Sequence, residues 1–204
     1  MKKPQNWETV QAARDRLPLP AGAYQVKILD ARQEDVSAKD DPNTILFSVL
    51  KIGLDITEGE FAGYYQADFD AQQREDKRWK GVLRQYLPKD DGTEKDAWTA
   101  SSLKAMVEAV EESNPGFHFD WDEKKLKGKV AGCLFRNEEW AFDGRSGWTV
   151  RPCKLISLHA LKSGKFRMPK DKPLPESRRP VSLDISPDSQ DFTPVSADDE
   201  DLPF

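Results

Sequence analysis

Between Gly22 and Leu158 the spacing of apolar residues changes period twice, and that order of periods limits the available folds more than any other feature. Tyr24, Val26 and Ile28 alternate with Gln25 and Lys27, the period of two expected of a half-buried strand. Arg32 to Asn43 is polar and ends in Asp40-Asp41-Pro42-Asn43, which reads as a loop with turn chemistry. Thr44 to Ile56 is a second strand whose apolar set changes face near Val49-Leu50, predicting a bulge or bend. After a turn at Glu58-Gly59-Glu60, Phe61 to Phe69 reads as a third strand. It puts Phe61, Tyr65, Ala67 and Phe69 on one face and Tyr64, Gln66 and Asp68 on the other.

The period then becomes helical. Trp79, Val82, Leu83 and Tyr86 recur at i, i+3, i+4 and i+7, predicting a helix over Arg74 to Leu87 with Arg74, Lys77, Lys80 and Arg84 on its opposite side. Lys89-Asp90-Asp91-Gly92 breaks it, and Ser101 to Glu112 forms a second helix with Leu103, Met106, Val107 and Val110 inward, ended by Asn114-Pro115-Gly116. Gly128 to Arg136 and Trp148 to Leu158 return to strand spacing, joined by a loop from Asn137 to Gly147. Pro152 places the last strand at an edge or a bulge. Three strands, a helical insertion and two strands predict a mainly β, α+β fold. The expected architecture is a five-stranded barrel like the OB-fold, with its helices between strands three and four.

Charge divides the chain. Residues 1 to 169 hold 27 Lys and Arg against 27 Asp and Glu, whereas residues 170 to 204 hold 4 against 9 and so account for the whole net charge of −5. A neutral body still accommodates a basic groove. From Asp188 onward there are six acidic side chains and no basic one, a run that cannot bury enough apolar surface to fold. Three segments follow: an N-terminal arm (1–21), a folded domain (22–169) and an acidic tail (170–204). No apolar run reaches membrane-spanning length and Met1-Lys2-Lys3 leads into polar residues, so the expected location is the cytoplasm.

The tail ends on Asp198-Asp199-Glu200-Asp201-Leu202-Pro203-Phe204, an acidic run capped by apolar residues that can fill a partner's pocket while the carboxylates steer it to basic surface. This ending resembles the acidic C-terminal tip of bacterial and phage single-stranded DNA-binding proteins, which recruits replication, recombination and repair proteins. The body extends the resemblance. Gly59-Glu60-Phe61-x-Gly63-Tyr64-Tyr65, Trp79-Lys80-Gly81, Val110-Glu111-Glu112-Ser113-Asn114-Pro115-Gly116, Trp121 to Lys129 and Gly164-Lys165-Phe166 are similar to blocks of single-stranded DNA-binding proteins from phages and integrative elements of Gram-positive bacteria. The resemblance covers about residues 20 to 169 and implies an OB-fold protein that coats single strands in the host cytoplasm. Compared with ordinary bacterial members, the helical insertion is much longer.

Coating a strand without reading its sequence needs cations for phosphates and aromatic faces for bases. Several rings lie beside cations, and the candidate stackers are Tyr64, Trp79, Trp140 and Trp148. Lys51, Lys77, Arg78, Lys80, Arg84, Arg136 and Arg145 are the candidate phosphate contacts. Packing competes most with stacking at Trp79, on the apolar stripe of its own predicted helix; Tyr64 alternates onto the outer sheet surface, and Trp140 and Trp148 flank the last hairpin loop, where a ring is hard to bury and stacking and packing compete evenly. Asp198 to Phe204 form the candidate partner contact, and the tail is expected to compete with DNA for the basic groove.

Other chemistries have less behind them. Asp68-x-Asp70, and Glu138-Glu139 with Asp143, are carboxylate clusters of the kind that holds a divalent metal for phosphodiester hydrolysis, but no Lys or His accompanies them at a nuclease-like spacing. Cys133 and Cys153 lack metal-ligand spacing and read as buried free thiols. No phosphate-cradling loop or nucleophile elbow is present, so neither catalysis nor a cofactor is expected. A phage adaptor or annealing protein working mainly through protein contacts is the alternative to a strand coater.

Overall fold

The computed structural model describes residues 17–38 and 40–176, with Lys2, Lys3 and Gln5 besides. Its center is one five-stranded antiparallel sheet of order β3-β2-β1-β4-β5. The strands are β1 (Gly22–Ser37), β2 (Ile45–Ile56), β3 (Val82–Tyr86), β4 (Val130–Phe142) and β5 (Arg145–Ile156). Helix α1 (Tyr64–Ala71) lies between β2 and β3, α2 (Glu94–Ser113) and a 3₁₀ turn (Glu123–Leu126) lie between β3 and β4, and α3 (Leu158–Ser163) follows β5. The fold is mainly β, as the periods predict.

The first strand is the pivot. Gly22 to Lys27 pair with β4, and Val26 to Ser37 pair with β2, with a register shift at Leu29. Val26 and Ile28 are fully buried, as the alternation requires. The strand then runs on through Arg32 to Ser37, where a loop was expected. Polar side chains suit this half because it is held by the ladder to β2 and by cross-strand pairs such as Ser48 Oγ to Asp35 (2.6 Å), not by burial. The turn chemistry sits just beyond, where the Asp41 carboxylate accepts from the Asn43 amide (3.0 Å) and the Thr44 hydroxyl (2.6 Å). Those bonds, the hydroxyl's first, hold the Asp41 carboxyl below its ordinary pKa.

Two predicted elements are corrected. Phe61 to Phe69 is a turn and a helix rather than a strand, because Phe61, Tyr65 and Phe69 also repeat every four residues. The Asp55 carboxylate on β2 accepts from the Tyr65 and Gln66 amides (2.9 and 3.0 Å), acting as the N-cap that Gly63 lacks. Arg74 to Leu87 is extended and ends in β3 rather than forming a helix. There Leu83 turns inward, Arg84 and Tyr86 turn outward, and the backbone completes the edge of β2. Gly81 marks the crossing point, since a Cβ there would lie 2.4 Å from the Leu54 carbonyl oxygen and 2.6 Å from the Tyr65 ring.

The remaining elements follow the sequence more closely. Thr93 caps α2 by accepting from the Asp96 amide (3.2 Å), and Leu103, Met106 and Val110 are buried. β4 and β5 form a hairpin down to Phe142 and Arg145, so the expected loop from Asn137 to Gly147 is almost wholly strand. Only Asp143 (φ 51°) and Gly144 (φ 66°) turn the chain, the paired left-handed residues of a tight hairpin. Pro152 lies on edge strand β5 beside a register shift, in agreement with its reading. The core gathers Val26, Ile28, Ile52, Leu54, Ile56, Leu126, Cys133, Phe135 and Leu155. β3 and β5 come within 8 Å of each other, with no ladder between them among the described residues.

Beyond Phe135, β4 has no pairing to β1, and residues 171–174 take that edge. The Lys172 amide donates to Asn137 (2.8 Å) and the Glu139 amide to Lys172 (2.9 Å), a parallel bridge, while the Leu174 amide donates to the Glu139 carboxylate (2.8 Å). The N-terminal segment also packs on the body, with Leu19 buried and its amide bonded to the Tyr64 hydroxyl (3.3 Å).

Candidate functional site

The predicted site residues fall into three places. The first is a cleft of about 780 Å³ between α1, the segment before β3, and β5. Tyr64, Arg78, Trp79, Lys80 and Trp148 all line it, joined by Arg74, Arg151, Asp68 and Gln72. Trp79 is a wall of this cleft. Its indole N–H donates to the Leu54 carbonyl (3.1 Å) and its ring lies 5.8 Å from that of Phe69, so it packs, though in an extended segment rather than on a helical stripe. Tyr64 opens α1, wedged against Phe61 (6.1 Å) and Tyr65 (5.3 Å), and is half-buried rather than set on an outer sheet face. Trp148 is 53% exposed and is the open ring of the cleft.

Three cations around the cleft have close acidic neighbors, and a fourth lies over a ring. Lys80 pairs with Asp68 (3.1 Å), Arg74 and Arg78 both reach Asp76 (3.3 Å each), and Lys77 lies over the Phe69 ring (5.6 Å). The two Asp76 pairs are exposed on both sides and therefore weak, whereas Asp68 in the Lys80 pair is largely covered. The helix that was to gather Arg74, Lys77, Lys80 and Arg84 on one side does not form, and Arg84 belongs to the second place.

That place is the outward face of β1, β2 and β3. Arg32, Lys51 and Arg84 are direct partners across three adjacent strands, a cationic row answered by Glu34, which bonds Lys51 and pairs with Arg32 (3.0 Å). The Lys51 bond, followed by the charges of Lys51, Arg32 and Arg84, holds the Glu34 carboxyl below its usual range. One step along the same face Phe47 and Tyr86 meet at 5.4 Å, and Tyr86 is 51% exposed. Arg32 and Tyr86 were missed because their stretches were read as a loop and a helix; Phe47, on a strand that was read as one, carried a signal as an outward aromatic four residues before Lys51.

Third is the β4–β5 ribbon. Trp140 pairs with Gly147 while Trp148 pairs with Glu139, so the two tryptophans project from opposite faces. Gly147 leaves room for the Trp140 ring, 3.2 Å from where a Cβ would stand. Arg136 is engaged by Glu138 (2.8 Å), and Arg145 sits at the tip opposite Phe142. Asp198 to Phe204 lie outside the described residues.

No known protein-family model matches the chain, and no curated protein matches it. Aromatic faces and cations recur on each of the three surfaces, a chemistry suited to bases and phosphates. The carboxylates weighed for a metal are dispersed: Asp68 serves Lys80, Glu138 serves Arg136, and no group of three His, Cys, Asp or Glu is placed to hold an ion among the described residues. Cys133 is buried and Cys153 half-buried, both as free thiols, and burial first of all raises both thiol pKa values. No described helix is long and apolar enough to cross a membrane.

Proposed function

We propose that this chain binds single-stranded DNA without reading its sequence and without catalyzing a reaction, and that Asp198 to Phe204 recruit partner proteins in replication or recombination. The observation that carries the reading is the cleft, where the open ring of Trp148 shares the lining with Arg74, Arg78 and Lys80, and Asp68 is the lining carboxylate. Stacking one base on such a ring contributes about 1 to 3 kcal/mol, and phosphate contacts add the salt-dependent remainder. Lys80 and Arg84 stand four residues apart on the chain entering β3, about 13 Å along an extended backbone. They link the cleft to the Arg32-Lys51-Arg84 row, so a strand following β3 meets both.

Sheet order supports an OB-type reading. With β1 shared by β2 and β4, and with edge strands β3 and β5 close together, we read the sheet as a partly open five-stranded barrel. The test is tryptophan fluorescence titrated with oligo-dT and with duplex of equal length at two salt concentrations. Quenching by the single strand, weakened by salt, is the expected result, with Trp148→Ala reducing affinity about tenfold. Arg84→Ala should lower the salt slope by about one. Weak binding with a flat salt response would favor the adaptor reading, and no binding would end the DNA reading.

A further inference from the structure

The segment joining α2 to β4 belongs to none of these surfaces. It lies at the start of β4, where Asn114 bonds the Val130 amide (3.1 Å) and carbonyl (2.8 Å), seven residues from the Asn137 wall of the cleft. Trp121 is 76% exposed and holds φ at +69°, a conformation that strains a bulky side chain. Its neighbors impose it. Asp120 is bonded by Lys125, the Asp122 carboxylate accepts from the Lys124 amide (3.1 Å), and the Phe119 amide donates to Glu111 (2.7 Å). A ring held in strain and mostly open to water adds little to folding, and such positions gather at binding surfaces.

Around it are further rings and cations. Phe119 lies 5.7 Å from the Trp121 ring, and the Lys129 ammonium sits 4.3 Å over Phe117. Phe117 and Lys129 line a depression of about 420 Å³ with Asn114, Pro115 and Gly116, large enough for a phenyl ring. Lys124, Lys127 and Lys129 make no ion pair with a carboxylate among the described residues, whereas Asp120 and Glu111 are already engaged.

We propose that this surface docks the chain's own segment Asp198 to Phe204, with Leu202 and Phe204 against Phe117 and Trp121 and the acidic run on Lys124, Lys127 and Lys129. Charge favors the lysine side of this surface: four consecutive carboxylates in the segment meet Lys124, Lys127 and Lys129, which make no ion pair among the described residues, although Asp122 and Glu123 stand beside them on the same turn. The length suffices, since a chain of 28 residues, the distance from Glu176 to Phe204, spans on the order of 30 Å as a coil and 90 Å extended. Docking here shields the recruiting segment until a partner competes for it, and it leaves the cleft clear. The inference does not depend on DNA binding.

Zero-length carbodiimide crosslinking of the full chain, mapped by mass spectrometry, tests it. Amide links between Asp198–Asp201 and Lys124, Lys127 or Lys129 are expected, undiminished by saturating oligo-dT. Their yield should fall about tenfold in Trp121→Ala and in Phe204→Ala, since truncating an aromatic anchor has that order of effect. Trp121 is exposed, so an unchanged unfolding midpoint will confirm that its variant is folded. Links directed to Lys51 or Lys80 instead, links displaced by oligo-dT, or no links at all would each overturn the proposal.

Discussion

Replacing Asp55 tests whether one side chain on β2 positions the helix that walls the cleft. Its carboxylate is buried and accepts from three amides: those of Ile56 and Tyr65 on one oxygen (2.9 Å each) and that of Gln66 on the other (3.0 Å). Gly63 at the helix start has no side chain to offer, so Asp55→Ala leaves two helix N–H groups without an acceptor. Each orphaned buried donor costs about 1 to 3 kcal/mol, giving a total near 3 kcal/mol and, for a chain of this size, a fall in Tm of about 10 °C. Asp55→Asn retains one accepting oxygen and should lose about half as much. Urea denaturation followed by circular dichroism measures both, and fluorescence adds a local readout, because Trp79 packs against Tyr65 at 6.4 Å. Equal losses in the two variants, or an alanine variant within about 0.5 kcal/mol of the parent, would refute the capping argument.

Three further outcomes are expected. Gly81→Ala forces a methyl against the Leu54 carbonyl and the Tyr65 ring and should destabilize by about 3 kcal/mol, measured by the same denaturation. At the hairpin tip, Gly144→Ala places a side chain at φ 66° in open space, so it should cost only about 1 kcal/mol and leave the fold unchanged by circular dichroism. Because burial raises the Cys133 and Cys153 thiol pKa values, their stabilizing contribution is complete below the ordinary thiol pKa and is lost as pH rises toward the folded value. Across neutral pH, above the carboxylate range, stability should therefore be flat up to about pH 8.5 and decline above it, and Cys133→Ala should flatten the alkaline decline measured by urea titration.

Elements that bury one face against the core were legible, and elements decided by a distant partner were not. Tyr24, Val26 and Ile28, the α2 stripe and the β4 run each carry their own period, and the structure buries or half-buries those side chains. Trp79, Val82, Leu83 and Tyr86 carry a true helical spacing, yet the open edge of β2 offers backbone bonds and a Phe47 ring for Tyr86 that a helix would forfeit. In Phe61 to Phe69 the two periods coincide, and Asp55, ten residues before Tyr65, decides for the helix. The site shows the same division. Arg78, Trp79, Lys80 and Trp148 were nameable from aromatic-cation adjacency and Tyr64 from its alternation, whereas Gln72 and Arg151 carried no such signal, and the convergence needed Trp148 on β5 to meet Arg78 and Lys80 across a sequence gap of about seventy residues. The cationic row was half seen, because Arg32 had been read as loop.

The strand-like pairing of residues 171–174 bears on how the protein is handled. Composition suggests trimming the chain after Pro169, but that cut would strip the cover from β4 and bare the Asn137 carbonyl and the Glu139 amide. An uncovered strand edge is a template for another chain, so the shortened protein should self-associate through this edge. A cut after Glu176 keeps the edge sealed, and comparing the two lengths by gel filtration would separate sticking caused by the truncation from any assembly native to the molecule.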